Sequence, residues 1–274
     1  MKCHLYSVLI SLSVASAVIG SSLRGCPTSY LIDPAITRFR RYVQIDTTVE
    51  FMRQQALELG LPFNVFTPDG LPVVVITVIG TEPSLPSIML NSHMDVVPAI
   101  ENEWTYPPFS GYIDEKGDIY GRGTQDTKDV GMQYIEVIRR FKKNNVMLKR
   151  TLHLTLMPAA GNDTELKFIR RNDLSKKTRL DDTNPYWVVM RDAVNDMGYQ
   201  LLPVVCPATT DMLVLRNIGI PAVGFSAKTR TETRAHGTDE YVNAETYLKG
   251  IEVYYEVIKE LGNLVILMSQ TVRV

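Results

Sequence analysis

Apolar and polar positions alternate between two periods along this chain, and the switches mark its elements. Ile36, Phe39, Tyr42 and Val43 recur at helical spacing after Pro34, and Phe51 to Leu59 continues on a second helix that stops at Gly60. Leu71 to Ile79 is β-branched and almost wholly apolar, which predicts a strand buried on both faces. Ser87 to Asn91 predicts the next strand. Val130 to Phe141 carries Ile135, Ile138 and Phe141 on one helical face, with Arg139, Arg140, Lys142 and Lys143 crowding its last turns, where cations complement the helix dipole. Thr151 to Met157 alternates as a strand. Ala159 to Asp182 is poor in apolar residues and predicts a connection with at most one short helix. A helix from Asn184-Pro185 to about Met197, a strand over Leu201 to Val205, a helix over Thr210 to Asn217, a short strand over Ala222 to Phe225 and a last helix over Tyr247 to Leu261 complete the series. Strands alternating with helices predict an α/β fold, a three-layer mixed sheet with helices on both faces.

Composition changes this picture little. The 274 residues are 45% hydrophobic and 22% charged with a formal net charge of −1, which suits one large domain or two small ones and leaves no basic footprint for nucleic acid. The N-terminus stands apart: Met1-Lys2 precedes an apolar run from Leu5 to Gly20, with small residues at Ala15-Ser16-Ala17. Residues 1–22 read as a signal peptide, the alternatives being a misassigned start or an anchoring segment. No other stretch has the apolar length of a stable membrane span. Cys26 and Cys206 are free to pair in an oxidising compartment, although sequence does not show that they meet.

Chemistry concentrates in two loops. Ser92-His93-Met94-Asp95 follows the Ser87–Asn91 strand, so His93 stands at a strand end with a carboxylate two residues on; Asp95 is placed to take the far ring N–H and orient the imidazole. Gly121-Arg122-Gly123-Thr124-Gln125-Asp126 puts a second carboxylate after two glycines, in a loop free to bend. In open α/β sheets ligands gather beyond strand carboxyl ends, where both loops fall. Nitrogen and oxygen donors on neighbouring strand ends suit zinc. Singly each residue has a plainer reading, a structural strand-end histidine or a turn aspartate. His153 alternates with the apolar face of its strand and reads as structural.

Asn91 to Pro98, Trp104, Pro108-Phe109, Ile119-Tyr120, Arg122 to Lys128, Asp181 to Trp187, Pro207 to Asp211, Gly219 to Ser226 and His236 to Glu240 together resemble the M20 zinc metallopeptidases, in particular the aminoacylase-1 type that hydrolyses N-acyl-L-amino acids. The resemblance covers about Asp33 to Gly262. It implies a zinc-peptidase-like catalytic domain over 30–265 with His93, Asp126 and His236 as metal ligands, Asp126 bridging two ions, and Asp95 as the catalytic residue behind His93. It also implies a small N-acyl amino acid as substrate.

The departures matter equally. After the strand ending at Met157-Pro158 the family carries adjacent acidic residues, a general base and a zinc ligand; this chain has Ala159-Ala160-Gly161-Asn162. The lid domain that follows, which in the family also makes the dimer, has only the short linker near 159–181 in its place. Two dications close together repel strongly without intervening carboxylates, so the remaining ligands imply one zinc ion rather than two. A lost general base costs on the order of 10²–10⁴ in rate, and Asp163 or Glu165 is the available substitute. The expectation is a weakly active or inactive amidohydrolase, monomeric without its lid; a non-catalytic pseudoenzyme and a truncated splice or gene-model product remain as alternatives. The N-terminal pattern predicts export, against the cytoplasmic location typical of the family.

Overall fold

The computed structural model describes residues 7–13, 27–45, 48–158, 177–206, 210–229 and 231–266. The elements in order are β1 (Ser7–Ser13), α1 (Pro27–Ile32), α2 (Pro34–Val43), α3 (Thr48–Glu58), β2 (Phe63–Phe66), β3 (Val73–Val78), β4 (Ile88–His93), β5 (Tyr112–Ile113), β6 (Asp118–Tyr120), α4 (Lys128–Lys143), β7 (Leu152–Met157), α5 (Pro185–Asp196), β8 (Gln200–Cys206), α6 (Met212–Asn217), β9 (Gly224–Ser226), β10 (Tyr241–Asn243) and α7 (Ala244–Asn263). The mixed α/β class is as the alternation predicts. The strands divide among three sheets, ordered β2-β3-β7-β4, β8-β1-β9 and β10-β6-β5. The 159–181 linker lies largely outside the described residues, as does Cys26, so neither the short helix nor a Cys26–Cys206 pair is addressed. β1 falls within the apolar run read as a signal peptide.

Local chemistry explains the helix starts. Asp33 caps α2, its carboxylate accepting from Ala35 N at 2.8 Å and Ile36 N at 3.1 Å, with Pro34 at the first position, where no N–H is needed. Asn184 and Asn243 cap α5 and α7 in the same way, accepting from Tyr186 N and Glu245 N. Among the strands that escape the sequence pattern, three are very short. β5, β6 and β10 have two or three residues each, too few for a period to show.

One expectation is corrected in β3. Its residues alternate between buried and half-buried positions, with Val74 and Ile76 fully buried and the positions beside them part-exposed. β3 is antiparallel to both β2 and β7, and antiparallel strands commonly bury one face more than the other; the β-branched residues on the less buried face supply strand propensity without full burial.

The core lies between this sheet and helices α2, α4 and α7. Leu152, Leu154 and Leu156 of β7 join Ile135 and Ile138 of α4, Phe39 of α2 and Tyr247, Ile251 and Tyr254 of α7, all essentially without solvent contact. Phe39 and Tyr247 stack at 4.5 Å. A bidentate pair, Arg38 Nε to Glu136 Oε1 at 2.5 Å and Nη2 to Oε2 at 2.7 Å, ties α2 to α4. β4 and β7 run parallel with α4 in their connection, so His93 and its neighbour Met157 leave the sheet at the same end.

Candidate active site

His93 is the last residue of β4, and Asp126 ends the glycine loop that delivers the chain into α4. Ser92 and Thr127 join the two: Ser92 Oγ lies 2.8 Å from Thr127 Oγ1 and donates to Thr127 O at 3.0 Å, and His93 N donates to Thr127 Oγ1 at 3.3 Å. Gly131, one turn into α4, permits this approach, since a Cβ there would stand 3.1 Å from Ser92 Oγ.

The three side chains predicted as ligands come together. His93 Nε2 lies 2.9 Å from Asp126 Oδ1, and His236 Nε2 lies 2.8 Å from Asp126 Oδ2. One carboxylate therefore spans two imidazoles, one on each oxygen. His93 is mostly buried, whereas the His236 side chain is 63% exposed and adopts a left-handed backbone with φ of 64°.

Asp95 orients His93, with its backbone carbonyl nearer the ring than the carboxylate expected there. His93 Nδ1 donates to the Asp95 backbone carbonyl at 3.0 Å, while the Asp95 carboxylate oxygen stands 3.6 Å away. The two-residue spacing curls the chain after β4 so that the carbonyl reaches the ring first. A carbonyl and a carboxylate can only accept, so both ring nitrogens of His93 carry protons in this arrangement. Burial opposes that charge, but the contacts with Asp126 and Asp95 outweigh it and raise the imidazole to about 10. Asp126 is drawn down to about 2, first by the hydrogen bond from His93 and then by attraction to both rings, against the effect of burial.

A second layer of contacts was not read from sequence. Glu240 is fully buried, and its carboxylate accepts from Gln125 N at 2.6 Å, Arg122 Nη1 at 2.8 Å, Gly123 N at 3.2 Å and Asp126 N at 3.3 Å. Its only sequence signal was a place four residues after His236. Asp129 is fully buried beside Lys228, Nζ to Oδ2 at 2.8 Å; burial pushes its carboxyl up to about 6 despite the lysine. His153 meets Thr77 Oγ1 at 3.1 Å, away from these groups, which agrees with a structural role. Asp163 and Glu165 lie outside the described residues.

A sequence model of Peptidase family M20/M25/M40 matches residues 89–159 and 165–260, more than half of the chain. The chain is a member of this peptidase family. Aminoacylase-1 of Dictyostelium discoideum is 23% identical over 398 residues, covering 84% of this chain and 98% of that protein. Aminoacylase-1 of Homo sapiens is also 23% identical over 398 residues, covering 87% and 98%. Because 398 exceeds the 274 residues here by 124, at least that many aligned positions of each relative face a gap. A mouse N-fatty-acyl-amino acid synthase/hydrolase, PM20D1, is 40% identical over 90 residues, a third of this chain and 17% of that protein. The M20 metallo-carboxypeptidase Sso-CP2 of Sulfolobus solfataricus shares the fold, with a TM-score of 0.67 at 14% identity over 84% of this chain and all of that one.

Zinc dependence is general in the M20 family, and this donor set fits the ion in kind. Each imidazole sits on its own oxygen of Asp126, so the three side chains offer two half-sites of one nitrogen and one oxygen. Among the described residues no group of three or more His, Cys, Asp or Glu side chains is placed to hold a metal ion. A cleft of about 250 Å³ opens beside Asp95, bounded by Val96, Val97, Phe109 and Lys128. It is smaller than the ~300–1,000 Å³ of a pocket that encloses a small ligand.

Proposed function

We propose that this M20 chain derives from a zinc-dependent amidohydrolase of the aminoacylase type, and that it hydrolyses N-acyl-L-amino acids weakly or not at all. The names of both groups of relatives, aminoacylase-1 and an N-fatty-acyl-amino acid synthase/hydrolase, support acylated amino acids as the substrate class. One observation carries the reading of lost chemistry. β7 pairs in register with β4 so that Met157 lies opposite His93, and the chain leaving β7 emerges beside the site. The residues in that stretch are Pro158-Ala159-Ala160-Gly161-Asn162, with no carboxylate or imidazole to hold zinc or take a proton from water.

Hydrolysis of an amide through zinc needs about three protein ligands for the ion and a base for the attacking water. His93, Asp126 and His236 supply the grip, and Asp95 orients one imidazole. No described residue near them supplies the base. The gap of at least 124 positions against aminoacylase-1, together with the break in the family match between 159 and 165, supports loss of the lid from the same place. Binding energy that a lid would contribute to the transition state goes with it.

N-acetyl-L-methionine incubated with the purified chain and added zinc tests this reading. The expected result is turnover at least about 100-fold below ordinary enzyme rates. Turnover within the ordinary range would show that a base is present and would overturn the proposal.

A further inference from the structure

Asp126 and His236 stand on loops far apart in sequence, and neither loop belongs to a helix or strand. Something must set the distance between them. We propose that Glu240, with Arg122 and Gln125, forms a buried interlock that positions His236 against Asp126, making Glu240 a positioning residue of the cation grip. This rests on the reading of His93, Asp126 and His236 as that grip.

The contacts all run between the same two segments. From the first loop, Arg122 Nη1 donates to Gly237 O at 3.0 Å and to Glu240 Oε2 at 2.8 Å, and Nη2 reaches His236 O at 3.4 Å. Gln125 Nε2 donates to Glu232 O at 2.9 Å and Tyr241 O at 2.8 Å, while its Oε1 accepts from Arg234 N at 2.9 Å. From the second loop, Glu240 holds the N–H groups of Gly123, Gln125 and Asp126. Glycine is required at 123, where φ is 89° and a Cβ would stand 2.5 Å from Val96 Cγ1. The loop therefore passes close to the segment after His93, and Glu240 closes it from the other side.

Burial makes the arrangement stiff. The Arg122 and Glu240 side chains are 5% and 1% exposed, and a charged pair so placed is held by geometry that neutral contacts would not enforce. His236 has little else to place it, with an exposed ring and its backbone carbonyl on Arg122. A glutamine at 240 would keep the volume but present an amide N–H₂ toward backbone donors. The loop would then have to move.

The test uses the metal-free chain labelled with ¹⁵N at histidine, comparing the wild type with Glu240→Gln. In the wild type the His236 Nε2 shift reports the hydrogen bond to Asp126. In Glu240→Gln the His236 signals take on those of a free ring, while the His93 Nδ1–H, bonded to the Asp95 carbonyl and not to the moving loop, keeps its own. Affinity for cobalt(II) alone, followed by its visible bands, falls about 10- to 100-fold. Arg122→Lys keeps a cation against Glu240 but lacks the fork that reaches Gly237 and His236, and gives the same signature if Glu240→Gln proves too unstable to purify. Wild-type His236 signals in either variant overturn the interlock, as does loss of the His93 Nδ1–H signature along with that of His236. A wild type that takes up no cobalt(II), but whose His236 ring responds to Glu240→Gln, sinks the cation reading and leaves the interlock standing.

Discussion

Replacing Asp126 with asparagine removes one negative charge from between two imidazoles, and the structure sets the size of the effect. Its carboxyl falls from 3.8 to about 2 in the folded chain. At 1.36 kcal/mol per tenfold change in proton affinity this corresponds to ~2.4 kcal/mol. The side chain is 30% exposed, and solvent screening reduces the expected loss to about 1–2 kcal/mol in the metal-free protein. The rise of His93 to about 10 is the larger shift because Asp95 contributes to it as well, so the Asp126 value is the better measure of this one contact. The depressed carboxyl contributes stability above pH 3.8, lost as pH falls through about 2. The raised imidazole contributes stability below 6.5, lost as pH rises through about 10. Both are fully present only between roughly pH 4 and 6.5. Urea unfolding of chelator-treated wild type and Asp126→Asn should therefore differ most near pH 5.5 and least near pH 10. A difference that does not change with pH, or a more stable variant throughout, would refute the reasoning.

Two more outcomes follow from the same geometry. Because His93 is held doubly protonated with its affinity raised to about 10, zinc that enters at Nε2 near pH 7 must displace a proton. Titration calorimetry in two buffers of different ionisation enthalpy should show release of about one proton per ion, and identical enthalpies in the two buffers would contradict it. Gly80→Ala should destabilise the fold by about 1–3 kcal/mol or more, since its Cβ would lie 2.3 Å from Lys149 O and 2.4 Å from Arg150 C, backbone atoms with no rotamer to swing away. Chemical denaturation measures this, and a wild-type midpoint would show that the backbone yields there without cost.

Much of the fold could be read along the chain because its larger elements are amphipathic and carry their own caps. α4 shows its apolar stripe at 135, 138 and 141, and Asn184 followed by Pro185 announces α5 before any contact is known. Such signals are local, each depending on residues within a turn or two. His93, Asp95 and Asp126 were legible for the same reason, since strand ends and glycine loops declare themselves in short words. The one-face burial of β3 was not, because β-branched residues favour a strand whatever lies across it, and only the neighbours β2 and β7 determine what it faces.

Distance in space decided the rest. No spacing along the chain puts Glu240 beneath the Gly121–Asp126 loop or shares the two oxygens of Asp126 between His93 and His236. Nor could spacing show that Asp95 would reach the ring through its carbonyl before its carboxylate. The first two are matters of a few ångströms between segments more than thirty, and in places more than a hundred, residues apart, and the third turns on how the backbone curls after β4. Hydrogen bonds and charge pairs fall off over that same few ångströms, so their partners exist only once the chain has closed around them.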